Sequence, residues 1–182
     1  MPVLGSAQSG HSCMHLIHLI RHARPTRTGI FLGRLDLPLA PHPVTPSLLN
    51  PTIIYSSPLR RALDTARLLF PLREIVVVPD LAECDFGDWE GLSWDQIQHQ
   101  WPETASRKAS DWRSVAPPNG EAWSDFELRI RRALDQVRKG LFPAAVVAHV
   151  GVNSALAANI AGIDPFLFQQ DYCEVLNLEL RD

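Results

Sequence analysis

The sequence predicts an α/β fold with a mainly parallel sheet, and three observations carry that expectation. The apolar run Leu16-Ile17-His18-Leu19-Ile20 ends in Arg21-His22, a second apolar run over 144–148 ends in His149, and helical-period segments follow the short strands. A strand buried on both faces reads as a nearly continuous apolar run, and ligands in open α/β sheets bind just beyond the carboxyl ends of such strands. Arg21, His22 and His149 therefore stand where a site is expected. Arg21 offers a fixed fork of donors suited to phosphate oxygens. His22, with an ordinary pKa of about 6.5, can be neutral and nucleophilic at physiological pH.

The size fits one globular domain with a proper core: 182 residues, 46% of them hydrophobic. A net charge of −3 provides no global basic field, so neither nucleic acid nor an anionic membrane is an expected partner. Cys13, Cys84 and Cys173 are odd in number, far apart and outside any metal-binding spacing, which predicts free thiols and a reducing compartment. Residues 1–13 lack Lys, Arg and a sustained apolar run. They are expected to form a disordered extension rather than a signal peptide, with Met14 a possible natural start. No apolar stretch reaches the length of about 18 residues that a membrane span needs, so a cytoplasmic protein is expected.

After the first strand, residues 23–46 contain five prolines and little periodicity, predicting an irregular loop across the strand ends. A second strand is expected over 52–55. Ser57 then reads as the N-cap and Pro58 as the first residue of a helix running to about residue 69. Leu59, Ala62, Leu63, Ala66 and Leu69 give it a core face at helical spacing, with Arg60 and Arg61 in its first turn. Arginine is unfavourable at a helix N-terminus unless an anion is nearby, so this pair invites a functional reading.

A third strand is expected over 75–78, leading into a turn crowded with Glu83, Asp85, Asp88 and Glu90. All five tryptophans (Trp89, Trp94, Trp101, Trp112 and Trp123) fall in the next stretch, which reads as a helical insertion over about 90–123. They are expected to pack the insertion, or to wall a site for a flat substrate. An amphipathic helix over 124–137 carries Phe126, Ile130, Leu134 and Val137 on one stripe, and Arg129, Arg131 and Arg132 read as its solvated face. After the strand at 144–148 comes a small-residue helix to about residue 161. Alternation at Val175, Leu176, Leu178 and Leu180 suggests a last strand at the sheet edge.

The ordered blocks are Arg21-His22, Ser56-Ser57-Pro58-Leu59-Arg60-Arg61-Ala62, Glu83 with Phe86-Gly87 and Trp89-Glu90-Gly91, and His149. Together they resemble the histidine phosphatase superfamily, the phosphoglycerate mutase-like fold, over about residues 15–162. That resemblance implies a three-layer α/β sandwich with helices on both faces of the sheet. It makes His22 the nucleophile that forms a phosphohistidine, Arg21, Arg61 and His149 the grip on the phosphoryl oxygens, and Glu83 the proton donor. By chemistry alone Asp85, Asp88 and Glu90 are also candidates for the acid. Two guanidiniums and an imidazolium supply charge around a phosphoryl group without metal or other cofactor, and beside His22 and His149 the same arginines would repel a zinc ion.

Two features depart from the family pattern. Ala23 and Val150 stand where glycine usually follows each active histidine. A Cβ costs about 1 kcal/mol or more if the backbone there has positive φ. The segment Arg24-Pro25-Thr26-Arg27-Thr28 also replaces a polar pattern ending in Asn, so no phosphate contact is carried over to it. The continuation over 33–39 and the run Pro117-Pro118-Asn119-Gly120-Glu121 are similar to the α-ribazole phosphatase branch. The expected activity is metal-independent hydrolysis of a small phosphorylated metabolite, α-ribazole 5'-phosphate first, with a homodimer as the candidate assembly. The alternatives are a phosphoglycerate mutase-like phosphotransferase and an impaired phosphate-ligand binding protein, the latter motivated by Ala23 and Val150.

Overall fold

The computed structural model describes residues 15–42 and 44–180. The expectations for residues 1–13 and for Met14 lie outside the described residues. Five strands form one mixed sheet: β1 His15–Arg21, β2 Ile53–Ser56, β3 Val76–Val77, β4 Ala144–Ala148 and β5 Val175–Leu180. Their order is β3-β2-β4-β1-β5, with β5 antiparallel to β1 and the other pairings parallel. The helices are α1 Arg60–Leu69, α2 Trp94–Gln100, α3 Pro102–Ser110, α4 Trp123–Arg138 and α5 Val150–Ala161.

Alternation along the central strands produces the layers. Ile17 and Leu19 of β1, with Ala144, Val146 and Ala148 of β4, pack against Phe126, Ile130, Leu134 and Val137 of α4 and Val152 and Leu156 of α5. Ile20, Ala145 and Val147 point the other way, onto Ala66 and Leu69 of α1. Successive strand residues face opposite sides, so a strand that is apolar throughout needs helices on both faces, and here it has them. The small residues of β4 are all buried, which lets both helical layers approach the sheet centre.

Register brings the expected site together. Arg21 is the partner of Ala148 across β1 and β4, so His22 and His149 leave adjacent parallel strands side by side. Ser56 is the partner of Val147, which brings Ser57 alongside the end of β4. The ends of three neighbouring strands thus open at one point. Trp89, Ile97 and Ala105 form a separate buried cluster, with Phe31, Phe86, Leu92, Trp94 and Trp101 packed on it beside the sheet ends. Among the described residues, no helix is long and apolar enough to cross a membrane.

Three expectations change. Helix α1 starts at Arg60, two residues later than Ser57 and Pro58 suggested, and its N-cap is Leu59. Ser57 Oγ still accepts the Leu59 N–H at 3.2 Å, but it does so ahead of the helix. The third strand is only two residues long, at the sheet edge. Arg131 and Arg132 are exposed as expected, but Arg129 is buried, 6% exposed. Its burial has a tertiary cause described below.

Candidate active site

A cavity of about 500 Å³ opens at the carboxyl ends of the strands, and Arg21, His22, Arg61 and Glu83 all line it. His22 is 3% exposed, and its Nδ1 lies 2.7 Å from the Ala23 carbonyl oxygen. A carbonyl only accepts, so Nδ1 carries the proton and the free lone pair sits on Nε2. Burial, and behind it the charges of Arg61 and Arg21, lower the His22 pKa to about 3, against the pull of the Ala23 carbonyl. The imidazole is therefore neutral at physiological pH, as a nitrogen nucleophile must be.

Two guanidiniums flank it. Arg61, 1% exposed, donates from Nη1 to the Leu35 carbonyl and from Nη2 to the Gly33 carbonyl, both at 2.7 Å. Arg21 donates from Nη1 to the Gln170 carbonyl at 2.6 Å, and its guanidinium lies 4.0 Å from the centre of the Tyr172 ring. Each arginine carries five N–H donors, and Nε of both is buried without a partner. The protein thus fixes these groups through part of their donor set and leaves donors over for an anion.

His149 is buried at the start of α5, its ring centre 5.1 Å from that of His22. Its Nε2 is 2.7 Å from Ser57 Oγ, which already accepts the Leu59 N–H. A hydroxyl carries one proton and two lone pairs, so Ser57 can donate to Nε2 while accepting the Leu59 N–H, and in that arrangement the His149 proton is on Nδ1. Nδ1 is buried and has no partner. Burial first, then the neighbouring Arg61 and His22, hold its pKa well below the ordinary range, against the imidazolium that the sequence predicts.

Glu83 is the acid of the cavity. Its Oε1 accepts the Cys84 N–H at 2.9 Å and its Oε2 accepts the Gly151 N–H at 3.2 Å. Burial raises its pKa, opposed by the Cys84 N–H, Arg61, the Gly151 N–H and Arg129. A raised carboxyl pKa suits a proton donor. The other candidates are committed elsewhere: Glu90 accepts from Arg34 and Phe86, Asp85 from Gly87, and Asp88 from the Asn119 side chain. None of those three lines the cavity.

Neither Ala23 nor Val150 has positive φ, so neither carries the strain that a glycine there would relieve. That removes the observation behind the impaired-protein reading. Val150 simply opens α5 and lines the cavity. Gly151 is the position that requires glycine, because a Cβ there would come within 2.5 Å of Glu83 Oε1.

The remaining walls are largely aromatic: Phe31, Phe86, Trp94 and Trp112 from one side, and Trp123 and Phe166 among the others. Phe31 and Trp112 stack at 6.0 Å with their rings 20° apart, so tryptophans both pack the insertion and wall the site. Trp89, by contrast, is fully buried in the insertion, and Trp101 packs on that cluster without lining the cavity. Among the described residues, no group of three or more His, Cys, Asp or Glu side chains is placed to hold a metal ion.

Sequence reasoning missed Tyr172 and Gln170, for which no motif or periodicity signals a role, and misread Arg129. For Arg129 a signal exists: it lies three residues after Phe126 and four before Ala133, on the buried stripe of α4.

A parallel-sheet α/β fold with a buried neutral histidine between two arginines at the strand ends defines a phosphoryl-transfer protein of the histidine type. The chain belongs to the histidine phosphatase superfamily, branch 1, whose sequence profile matches residues 17–182. It is 42% identical over 103 residues to a bifunctional protein of Mycobacterium tuberculosis, a match covering 53% of this chain and only 28% of that longer one. It is 30% identical over 159 residues to the adenosylcobalamin/α-ribazole phosphatase of Escherichia coli, covering 80% of this chain and 78% of the relative. The crystal structure of an Escherichia coli protein to which α-ribazole-5'-phosphate phosphatase activity is attributed superposes with a TM-score of 0.81 at 26% identity. That superposition covers 91% of this chain and 90% of the other.

Proposed function

We propose that this chain is a metal-independent phosphomonoesterase that works through a phosphohistidine on Nε2 of His22, with α-ribazole 5'-phosphate as its substrate. One observation carries the mechanism: the 2.7 Å bond from Nδ1 to the Ala23 carbonyl frees Nε2, between two guanidiniums and in one cavity with a buried acid. In the first step Nε2 bonds to phosphorus, the P–O ester bond breaks, and Glu83 gives its proton to the departing oxygen. In the second, the Glu83 carboxylate takes a proton from water, the water oxygen bonds to phosphorus and the P–N bond breaks. Inorganic phosphate leaves, and both side chains return to their starting forms. Arg21, Arg61 and Nδ1–H of His149 hold the phosphoryl oxygens, where developing charge needs fixed donors.

The substrate proposal draws on the α-ribazole phosphatase relatives and on the aromatic walls. Arg21, Arg61 and Glu83 are the only charged side chains among the described residues lining the cavity. A neutral, flat heterocycle suits such walls, whereas a second carboxylate would lose its hydration with no cation to meet it.

The test is hydrolysis of p-nitrophenyl phosphate in excess EDTA, followed by kcat/KM for α-ribazole 5'-phosphate, phosphoserine and 3-phosphoglycerate. Phosphate release that persists in EDTA and disappears in His22→Ala is the expected result. A kcat/KM for α-ribazole 5'-phosphate below that for phosphoserine would overturn the substrate proposal, and activity retained by His22→Ala would overturn the mechanism.

A further inference from the structure

The most heavily bonded charged group near the cavity is one the mechanism above does not use. Arg129, on α4, spends all five of its N–H donors within the protein. Nε and Nη2 form a fork on the two carboxylate oxygens of Glu121, at 2.6 and 2.8 Å. Nη1 donates to the carbonyls of Asp80 and Ala82 at 2.8 and 2.5 Å, and Nη2 also donates to the carbonyl of Glu83 at 2.9 Å. The carbonyls of Asp80, Ala82 and Glu83 are therefore all bound by the Arg129 guanidinium.

Glu121 secures the other side of the same segment. Its Oε2 accepts the Asp85 N–H at 3.2 Å, and its own N–H donates to the Asp85 carbonyl at 2.8 Å. It sits at the end of the Pro117-Pro118-Asn119-Gly120-Glu121 turn. Gly120 lets that turn close on the segment, since a Cβ there would lie 2.8 Å from the Asp85 carbonyl oxygen. Residues 80–85 are thus bracketed by one buried ion pair, with Glu83 between its two ends.

We propose that Arg129, locked by Glu121, is the positioning residue that fixes Glu83 in the cavity and governs when that carboxyl gives up its proton. A local reason makes this more than scaffolding. A purely structural clamp could be any donor set, whereas Arg129 places a fixed positive charge behind an acid whose pKa burial raises. Arg129 is one of two cations that oppose the effect of burial on Glu83, the other being Arg61 on α1. The remaining charged and titratable groups around Glu83 are Arg34, whose Nε donates to the Glu83 carbonyl at 3.3 Å, the neighbouring Cys84, and His22 and His149 at the strand ends. From α5 it meets only the Gly151 N–H. Glu121 offsets the charge of Arg129, so the two members of the pair act on the acid in opposite senses.

This inference rests on the proposed role of Glu83, and its test separates the two. The measurement is the pH dependence of kcat for an alkyl phosphate, together with a carbon NMR titration of the Glu83 carboxyl, in Arg129→Met, Arg129→Lys and Glu121→Gln. Substrate ionisation is common to every variant and cancels in the comparison. Arg129→Met removes the cation, so the basic limb and the Glu83 titration move to higher pH while kcat falls about 10- to 100-fold through misplacement. Glu121→Gln leaves the cation unopposed, so both move to lower pH. Arg129→Lys keeps the charge without the fork, and returns the limb to within a few tenths of a unit of wild type while kcat stays depressed.

Should Arg129→Met fail to fold, Glu121→Gln keeps the Arg129 bonds to the three carbonyls and still decides the question through its downward shift. Limbs and titrations that stay put, or that shift in the same direction in Arg129→Met as in Glu121→Gln, overturn the inference whatever happens to thermal stability. Glu83 titrations shifted in opposite directions in the two variants, alongside a wild-type protein that shows no turnover, would sustain it and sink the hydrolase reading instead.

Discussion

Gly151→Ala tests the acid with the least disturbance to the rest of the molecule. The added Cβ would sit 2.5 Å from Glu83 Oε1, 3.2 Å from Cδ and 3.3 Å from Oε2, whereas ordinary contact begins at 3.4 Å. Opening the tightest of these from 2.5 to 3.4 Å displaces the carboxyl group by about 0.9 Å. The carboxyl yields, because it ends a side chain while Gly151 belongs to α5. That movement also breaks the 3.2 Å bond from the Gly151 N–H to Oε2. A general acid contributes about 10²- to 10⁴-fold, and misplacement by about 1 Å costs on the order of 10²-fold. The loss depends on the leaving group. In kcat/KM, which reports phosphorylation of His22, an alkyl phosphate, whose alkoxide needs the proton, loses roughly 30- to 100-fold, whereas p-nitrophenyl phosphate, whose phenolate leaves unaided, loses less than about 5-fold. Paired steady-state assays on the two esters, with a melting curve to show the variant folded, make the measurement. Equal losses in kcat/KM on both esters from a folded protein would refute the assignment of Glu83 as proton donor.

Two further outcomes follow from the histidines and their neighbours. In the unfolded chain His22 has its ordinary pKa of 6.5, and in the folded protein it is lowered to about 3. The unfolded state therefore binds the extra proton between these values, and stability falls as pH drops from 6.5 toward 3. At about pH 5 the share of this residue is about 2 kcal/mol. Urea unfolding at about pH 7 and 5 should show a smaller acid loss in His22→Gln than in wild type, and an equal loss would contradict it. Because neither Ala23 nor Val150 has positive φ, Ala23→Gly and Val150→Gly should leave kcat within about 2-fold. Val150→Gly should also lower stability by up to about 1 kcal/mol at the start of α5. A tenfold gain in kcat in either would show that strain limits the reaction.

What was legible in the sequence and what was not divide along a physical line. β1 and β4 were readable because a strand buried on both faces must be apolar throughout, and their termini gave Arg21, His22 and His149 directly. The start of α1 was misjudged because Ser57 caps before the helix and also meets His149, a contact that comes from strand register and leaves no local trace. Arg129 was misjudged because a charged residue on a helix is normally solvated. Its burial depends on Glu121 and on carbonyls some 46 to 49 positions away along the chain. Tyr172 and Gln170 belong to a segment whose contacts with Arg21 span about 150 positions, and no periodicity marks them.

The charge state of the cavity ties the separate pKa shifts into one device. The charges of Arg21 and Arg61 help to keep His22 and His149 neutral, and burial shifts Glu83 toward its protonated form. Two positive charges then face a substrate group that, as a phosphate monoester, brings about two negative ones. The balance is met by fixed guanidiniums alone, with no need to protonate the nucleophile or ionise the acid. Any further anion on the substrate would upset that balance against walls of Phe31, Phe86, Trp94 and Trp112. Desolvating an unpaired carboxylate there costs several kcal/mol, which is why the electrostatics of the site, as well as its shape, favour an ester whose organic part is neutral.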